Sequence, residues 1–417
     1  MSASTPPRAP RRILVGVGGG IAAYKVCSLI RHFTESGDDV TVVPTESALR
    51  FVGAATFEAL SGHPVSTEVF DAVDEVRHVR LGQDADLVVV APATADLLAR
   101  AAAGRADDLL TASLLVTRAP VLVVPAMHTE MWQHPATQAN VATLRDRGVC
   151  VIDPASGRLT GADTGPGRLP DPQEIALFAE LLLDRPDALP RDLVGARVLI
   201  SAGGTREALD PVRFLGNHSS GKQGFALARA AVARGAEVTV VAGSTKGAGD
   251  PPGVEVVRVA TAAQLAAEMT KRAADADVVI MAAAVADFRP VTMAESKIKK
   301  GADGPAPIEL ATNPDILRGL VEARDEGHIA ASTVIVGFAA ETGDEHGGVL
   351  DHGRAKLRRK GCDLLVVNAV GNGKAFGTED NTGWLLAATG GETALPHGSK
   401  TLMASRILDS VRSLVPH

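Results

Sequence analysis

The chain is 417 residues long, more than one ordinary core at roughly 150 residues per domain, and it is 46% apolar with only 3% aromatic side chains. A net charge of −7 and that shortage of aromatics exclude the basic, base-stacking surface of a nucleic-acid binder. Cys27, Cys150 and Cys362 are too few and too scattered for a disulfide framework or a zinc knuckle, and no apolar run reaches the ~18 residues of a membrane span, so a cytoplasmic protein is expected.

In chain order, the first half offers apolar runs at ILVGV, VTVV, ADLVVVAP, VLVVPAM and VCVI, alternating with helical stretches such as Ile21 to Phe33, Ala93 to Ala103 and Glu174 to Leu183. Continuous apolar runs between helices predict a parallel sheet buried on both faces. Two prolines and clustered charges in DRPDALPRDLVG break both periodicities and predict a linker near Asp184 to Asp192. The pattern restarts with VLISAG, VTVVAG, VEVVRVA, VVIMAAAV, TVIVGFAA and DLLVVNAV. WLLAATGGETAL then predicts a hairpin turning at Gly390 and Gly391, and Leu402 to Leu414 a closing helix. The expected fold is α/β, with two doubly wound domains at residues 1–186 and 187–417 and no repeat period common to both.

Two strands run into glycine-rich turns, at Gly16 to Gly20 and at Gly203 to Gly204. Each is read as a strand-to-helix turn that leaves N–H groups aimed at an anion beside a helix start. At the first, Ile21 stands where a dinucleotide fingerprint needs glycine, so the terminal phosphate of a mononucleotide such as FMN fits better. Thr45 and Ser47, after the second strand, offer hydroxyls to the same anion. His78 precedes the strand that ends in APATAD, and PAMHTEMW follows another strand, which places both segments at the carboxyl edge where ligands bind.

GGGIAAYK, HVRL, APATAD and PAMHTEMW, in that order, resemble the FMN-dependent cysteine decarboxylase family, some of whose members act on 4′-phosphopantothenoylcysteine. The resemblance implies a flavodoxin-like fold and an FMN held by Gly18, Gly19, Gly20, Thr45, Ser47, Pro92, Ala93, Thr94 and Met127. It makes His78 the catalytic base and gives PAMHTEMW the substrate carboxylate. The chemistry calls for such a cofactor, because losing CO2 from a cysteine-derived carboxylate requires an electron sink. The chain departs from the family at His128, where asparagine is usual, and His128 can still donate a hydrogen bond. It departs again in GRLTGADTGPGRL, which lacks the family's lid cysteine and puts Gly161 there, leaving Asp163, Thr160 or water as proton donor. The glycines and prolines of Gly157 to Pro170 suit a mobile lid.

The second half carries SAGGTREALDPVRFLGNHSSGKQG, MAAAVADFRP, KIKK at Lys297 to Lys300, NPDIL at Asn313 to Leu317, GFAAET at Gly337 to Thr342 and RAKLRRK at Arg354 to Lys360. Lys356 and Lys360 lie four apart, a like-charge pair costing ~0.2–0.5 kcal/mol that an anionic ligand would reverse. Together these segments resemble the CTP-dependent phosphopantothenate–cysteine ligase family, which implies a Rossmann-like domain. By that resemblance Ala283, Asp287, Lys297, Asn313, Pro314, Asp315, Ile316, Phe338, Lys356 and Lys360 contact CTP. Asn217 holds an acyl cytidylate for attack by cysteine, Lys297 stabilises charge at the transferring phosphate, and Mg2+ offsets repulsion between two polyanions.

Across nearly the whole chain the resemblance is to bifunctional coenzyme A biosynthesis proteins. It implies 4′-phosphopantothenate, L-cysteine and CTP as substrates, and a homododecamer of flavin-domain trimers and ligase-domain dimers. Three other readings stand beside it: a single-activity flavin decarboxylase or prenyltransferase with a non-catalytic assembly domain, a non-catalytic phosphatase-binding regulator, and a nicotinamide dehydrogenase.

Overall fold

The computed structural model describes residues 9–68, 77–159, 163–245, 249–299, 307–341, 347–369 and 380–416. Thr160, Gly161, Lys300 and Thr342 of the segments above lie outside the described residues. The chain forms two compact units, Met1–Pro190 and Arg191–His417.

In the first unit five parallel strands pair in the order Asp39–Pro44, Arg12–Val17, Leu87–Ala93, Val121–Pro125 and Cys150–Val151. All seven residues of Leu87–Ala93 are buried, as expected of a strand covered on both faces. On one face Leu97, Leu98, Leu109, Leu110, Val141 and Leu144 from three helices pack against Leu14, Val88, Val90 and Val123. In such an order the chain builds outward from strand Arg12–Val17 first to one side and then to the other. The crevice that opens between it and Leu87–Ala93, at their carboxyl ends, is where ligands bind. Gly18 N–H donates to Pro92 O across that crevice at 3.0 Å.

The expected helices are present with shifted ends, at Ala23–Glu35, Ala95–Ala102 and Pro172–Asp184. Thr94 delays the second of them by capping it, its hydroxyl accepting from Leu97 N–H at 3.2 Å. GRLTGADTGPGRL is built on a hairpin of Ala155–Arg158 and Thr164–Arg168.

The second unit has an eight-stranded sheet in the order Val254–Arg258, Glu237–Ala242, Arg197–Ala202, Val278–Met281, Val334–Glu341, Leu364–Ala369, Asp380–Ala387 and Glu392–Ser399. The last two form the expected hairpin, in which Asp380–Ala387 runs antiparallel to both its neighbours, and helix Lys400–Arg412 follows. The order reverses between Arg197–Ala202 and Val278–Met281, so this unit too has a crevice at its strand ends. Arg234, at the end of helix Lys222–Ala233, is fully buried. It is held by Asp192 at 2.6 and 2.8 Å, Asp409 at 2.8 Å and Ser405 O at 3.2 Å, which ties the first residues of the unit to its closing helix.

The second glycine turn differs from expectation. No helix follows Gly203–Gly204. The chain instead makes a short hairpin of Glu207–Ala208 and Phe214–Leu215, and the helix begins only at Lys222. The N–H of Gly204 is engaged by Ser244 O at 3.1 Å and that of Thr205 by Ala284 O at 3.3 Å. The turn therefore locks the crevice walls together, and the helix start that can meet an anion is at Gly221.

Candidate active sites

In the first unit the glycine loop is a tight cradle. A Cβ on Gly18 would collide with Pro92 O, and one on Gly19 would sit 2.5 Å from Ser47 Cβ and 2.8 Å from its carbonyl carbon. Glycine is needed here because three backbones approach closely. Gly20 N–H turns back to Gly18 O at 3.1 Å, and among the described residues the N–H groups of Gly19 and Ile21 have no acceptor within the chain. Backbone donors in a crevice at strand ends suit a terminal phosphate, so the residues present fit a flavin mononucleotide.

The two hydroxyls expected there differ. Thr45 is buried, its Oγ1 donating to Val17 O at 3.3 Å and accepting from Ala48 N–H at 3.2 Å, with Ser47 Oγ at 3.1 Å. Its hydroxyl is structural and holds Ser47, which faces the glycines. Pro92, Ala93 and Thr94 form the opposite lip, with Ala93 buried in the sheet.

His78 lies in helix Arg77–Asp84, and its Nδ1 is buried without a hydrogen-bond partner. In PAMHTEMW, exposed His128 is the N-cap residue of helix Thr129–Gln133, its ring making no capping bond. The hairpin docks directly on this segment. Met127 N–H donates to Gly167 O at 3.0 Å, a Cβ on Gly167 would collide with Met127 O, and one on Gly165 would lie 2.5 Å from Thr129 Oγ1. That spacing explains the GPG of the segment. Thr129 Oγ1, sealed beneath Gly165, is also buried without a partner. Asp163 stands at the hairpin tip, its O accepting from Leu159 N–H at 2.8 Å.

The second unit has a cleft of about 470 Å3 at its crevice, lined by Asn217 to Gly224, Ala282 to Val285, Asp287, Phe338 to Ala340, Lys356, Asn368, Asn381 and Lys400. Asn217 Nδ2 donates to Val285 O at 2.9 Å, tying the NHSSGK loop to the AAAVAD loop. That second loop is itself fixed, because Ser201 Oγ accepts from Ala283 N–H at 3.1 Å and Thr205 Oγ1 from Ala286 N–H at 2.9 Å. Asn217, Ala283, Asp287, Phe338 and Lys356, expected from sequence, thus share one cleft.

The other expected contacts are arranged differently. Asn313 is buried and structural, donating from Nδ2 to Ala286 O at 2.8 Å and from its N–H to Asp287 O at 2.8 Å. Pro314 is exposed, whereas the Ile316 side chain is in the core, which leaves Ile316 only backbone to offer a ligand. Lys356 Nζ is paired with Glu341 at 3.0 Å, and Lys360 Nζ with Asp315, so carboxylates already relieve the repulsion expected between the two lysines. Burial pushes the Asp315 carboxyl up, but the Lys360 hydrogen bond and the Arg318 N–H more than offset it, and the group sits below its usual range. Lys297 is exposed and outside the cleft lining, on a loop anchored where Ile298 N–H donates to Asp210 at 3.2 Å.

Sequence reasoning missed Gln223, Asn368, Asn381 and Lys400. The one visible signal is the polar Asn368 inside the apolar strand VVNAV. Gln223 Oε1 and Asn368 Oδ1 are buried without partners. Among the described residues there are four such atoms: those of Gln223 and Asn368 belong to residues lining this cleft, and those of His78 and Thr129 lie in segments that the sequence resemblance assigns to the flavin site.

Residues 1–181 match the Flavoprotein family, and residues 193–414 match the DNA/pantothenate metabolism flavoprotein C-terminal domain family. The Coenzyme A biosynthesis bifunctional protein CoaBC of Mycobacterium tuberculosis (strain ATCC 25618 / H37Rv) is 66% identical over 404 residues, covering 97% of each chain. Its counterpart in Vibrio vulnificus (strain CMCP6) is 43% identical over 413 residues, covering 98% of this chain and 99% of that one. A crystal structure of the C-terminal domain of a Coenzyme A biosynthesis bifunctional protein CoaBC covers 54% of this chain and 97% of its own, at 35% identity and a TM-score of 0.44.

Proposed function

The chain belongs to the family of coenzyme A biosynthesis bifunctional proteins, and from that premise we propose how its two units divide the work. Residues 187–417 join L-cysteine to 4′-phosphopantothenate with CTP, and residues 1–186 decarboxylate the 4′-phosphopantothenoylcysteine formed to 4′-phosphopantetheine. The observation that carries the reading is that family identity spans both units, and a cleft lined by the buried, unpartnered amides of Gln223 and Asn368 supports it in the second.

In the first unit Gly18, Gly19, Gly20 and Ser47 hold the phosphate end of FMN, with Pro92, Ala93, Thr94 and Met127 around the crevice and Thr45 fixing Ser47. Bound there, FMN supplies two-electron oxidation of the thiol-bearing carbon and its later reversal, which gives the departing carboxylate's electrons a place to go. His78 is the base that takes the substrate proton, and its unpartnered Nδ1 keeps a ring nitrogen uncommitted. His128 donates to the substrate carboxylate. The hairpin covers Met127 and Thr129, and Asp163, Thr160 or water returns the final proton.

In the second unit the 4′-phosphopantothenate carboxylate attacks the α-phosphate of CTP to give an acyl cytidylate and pyrophosphate. Lys356 and Lys360, already oriented by Glu341 and Asp315, meet the nucleotide along with Ala283, Asp287, Phe338 and the backbone of Asn313 to Ile316. Lys297 reaches the transferring phosphate, Mg2+ shields the phosphates, and Asn217 holds the acyl group for the amine. Placement is cytoplasmic, and among the described residues no helix is long and apolar enough to cross a membrane.

Exposed apolar side chains support the assembly that the family resemblance implies. Val212, Phe214, Phe288, Met293, Ile308 and Leu310 on the small hairpins of the second unit support ligase dimers, and Ile21, Tyr24, Phe51 and Met131 beside the flavin crevice support trimers. Together these make a dodecamer. The test is to incubate the protein with 4′-phosphopantothenate, CTP, cysteine and Mg2+ and to weigh the products. 4′-Phosphopantetheine, CMP and pyrophosphate are expected, and pyrophosphate with no decarboxylated product would defeat the decarboxylase role of the first unit.

A further inference from the structure

On the ligase reading the cleft must admit three substrates, whereas the residues foreseen from sequence serve the nucleotide and the acyl group. The rest of the wall includes the polar side chains of Gln223, Asn368, Asn381 and Lys400. Gln223 Nε2 donates to Lys400 O at 3.3 Å, which fixes the amide so that Oε1 is the atom left without a donor. Asn368 Oδ1, from the end of strand Leu364–Ala369, is in the same state. A buried acceptor without a donor costs about 1–3 kcal/mol, and two in one cleft call for a ligand that brings donors. Beside them lies the buried side chain of Lys400, whose Nζ donates to Asp380 O at 3.4 Å.

We infer that Gln223, Asn368 and Lys400 form the subsite for the α-amino-acid substrate: the two amide oxygens receive its ammonium and Lys400 faces its carboxylate. The inference rests on the proposed ligase reaction. A phosphate brings acceptors alone and leaves both oxygens unsatisfied. A divalent cation is repelled by a buried lysine at close range. A zwitterionic amino acid carries three N–H donors and a carboxylate, matching both halves of the wall. The bound ammonium first loses a proton to solvent. The amine lone pair then forms the C–N bond to the acyl carbon, the acyl C–O bond to phosphate breaks, and CMP departs with that electron pair as the nitrogen sheds a second proton.

The test uses full-length Gln223→Met and Asn368→Leu proteins, which keep volume and remove the acceptor. KM is measured for cysteine and for CTP, and pyrophosphate release is followed with cysteine absent. The KM for cysteine should rise about tenfold or more, within the roughly 5–150-fold that 1–3 kcal/mol allows, while that for CTP moves less than about threefold. Asn368→Asp, which keeps an acceptor, should recover most of the loss. An unchanged KM for cysteine overturns the inference, and so does an equal rise for CTP, which would hand these side chains to the nucleotide. Wild-type protein that releases no pyrophosphate from CTP and 4′-phosphopantothenate would remove the ligase reading and this subsite together.

Discussion

Replacing Gly19 with alanine should loosen flavin binding by an amount the loop geometry sets. The new methyl would lie 2.5 Å from Ser47 Cβ, where carbon atoms prefer about 3.5 Å or more, so Ser47 must retreat by about 1 Å. It is not free to do so, because its hydroxyl sits 3.1 Å from Thr45 Oγ1 and its O accepts from Arg50 N–H at 3.3 Å. Forcing an extra methyl into a packed site costs about 1–3 kcal/mol. Felt in the cradle, that is a rise of about 5–150-fold in the Kd for FMN. Quenching of flavin fluorescence on titrating the apoprotein reads the affinity, and thermal unfolding without flavin separates it from loss of stability. Gly53→Ala, at a glycine with nothing within 4 Å of the added carbon, is the control. Wild-type affinity in Gly19→Ala would show that FMN does not use this loop.

Arg234→Met should destabilise the second unit by about 1–3 kcal/mol, since it removes the hydrogen bonds of a buried guanidinium while the carboxylates left behind, 30% and 37% exposed, are partly solvated. At about 2–4 °C per kcal/mol for a unit of this size, the transition reported by Trp384 fluorescence should fall by roughly 2–12 °C, and a shift under about 1 °C would refute it. Burial pushes the Cys362 thiol up to about 11, so at pH 8 it should resist a thiol reagent that labels it readily after denaturation. Fast labelling of folded protein would contradict that burial. The Arg213 hydrogen bond holds the Asp210 carboxyl well below the carboxylate range against the effect of burial, with the N–H groups of Val212, Ile298 and Arg213 adding to it. A depressed acid contributes stability above its unfolded value of about 3.9 and loses it only as pH falls through the folded value. The Lys297 loop that Asp210 anchors should therefore show the same proteolysis at pH 5 as at pH 7, and release at pH 5 would show that the anchor is not this carboxylate.

The sheets were legible because a parallel strand covered on both faces must be apolar throughout, as Leu87–Ala93 is. The first glycine loop was legible for a related reason, since close approach of three backbones admits no side chain. The second was misread because strand-ending glycines look alike whether the chain enters a helix or, as here, makes a hairpin before Lys222. The ion pairs of Lys356 with Glu341 and Lys360 with Asp315 join residues 15 and 45 positions apart, and no local pattern records such a meeting. The unpartnered atoms of His78, Thr129, Gln223 and Asn368 are properties of burial, which sequence does not display. Ile316 shows the same limit in reverse, because a motif places the residue while only packing decides which of its atoms a ligand can reach.

One chain performs a ligation and then a decarboxylation at separate sites, and the test that separates the two steps weighs the products of wild-type and His78→Asn proteins given 4′-phosphopantothenate, CTP, cysteine and Mg2+. Removing a general base costs about 100–10,000-fold in the step it serves. The variant should therefore release pyrophosphate at the wild-type rate and stop at 4′-phosphopantothenoylcysteine, while the wild type proceeds to 4′-phosphopantetheine. Full decarboxylation by His78→Asn, or loss of pyrophosphate release along with it, would contradict the division of labour.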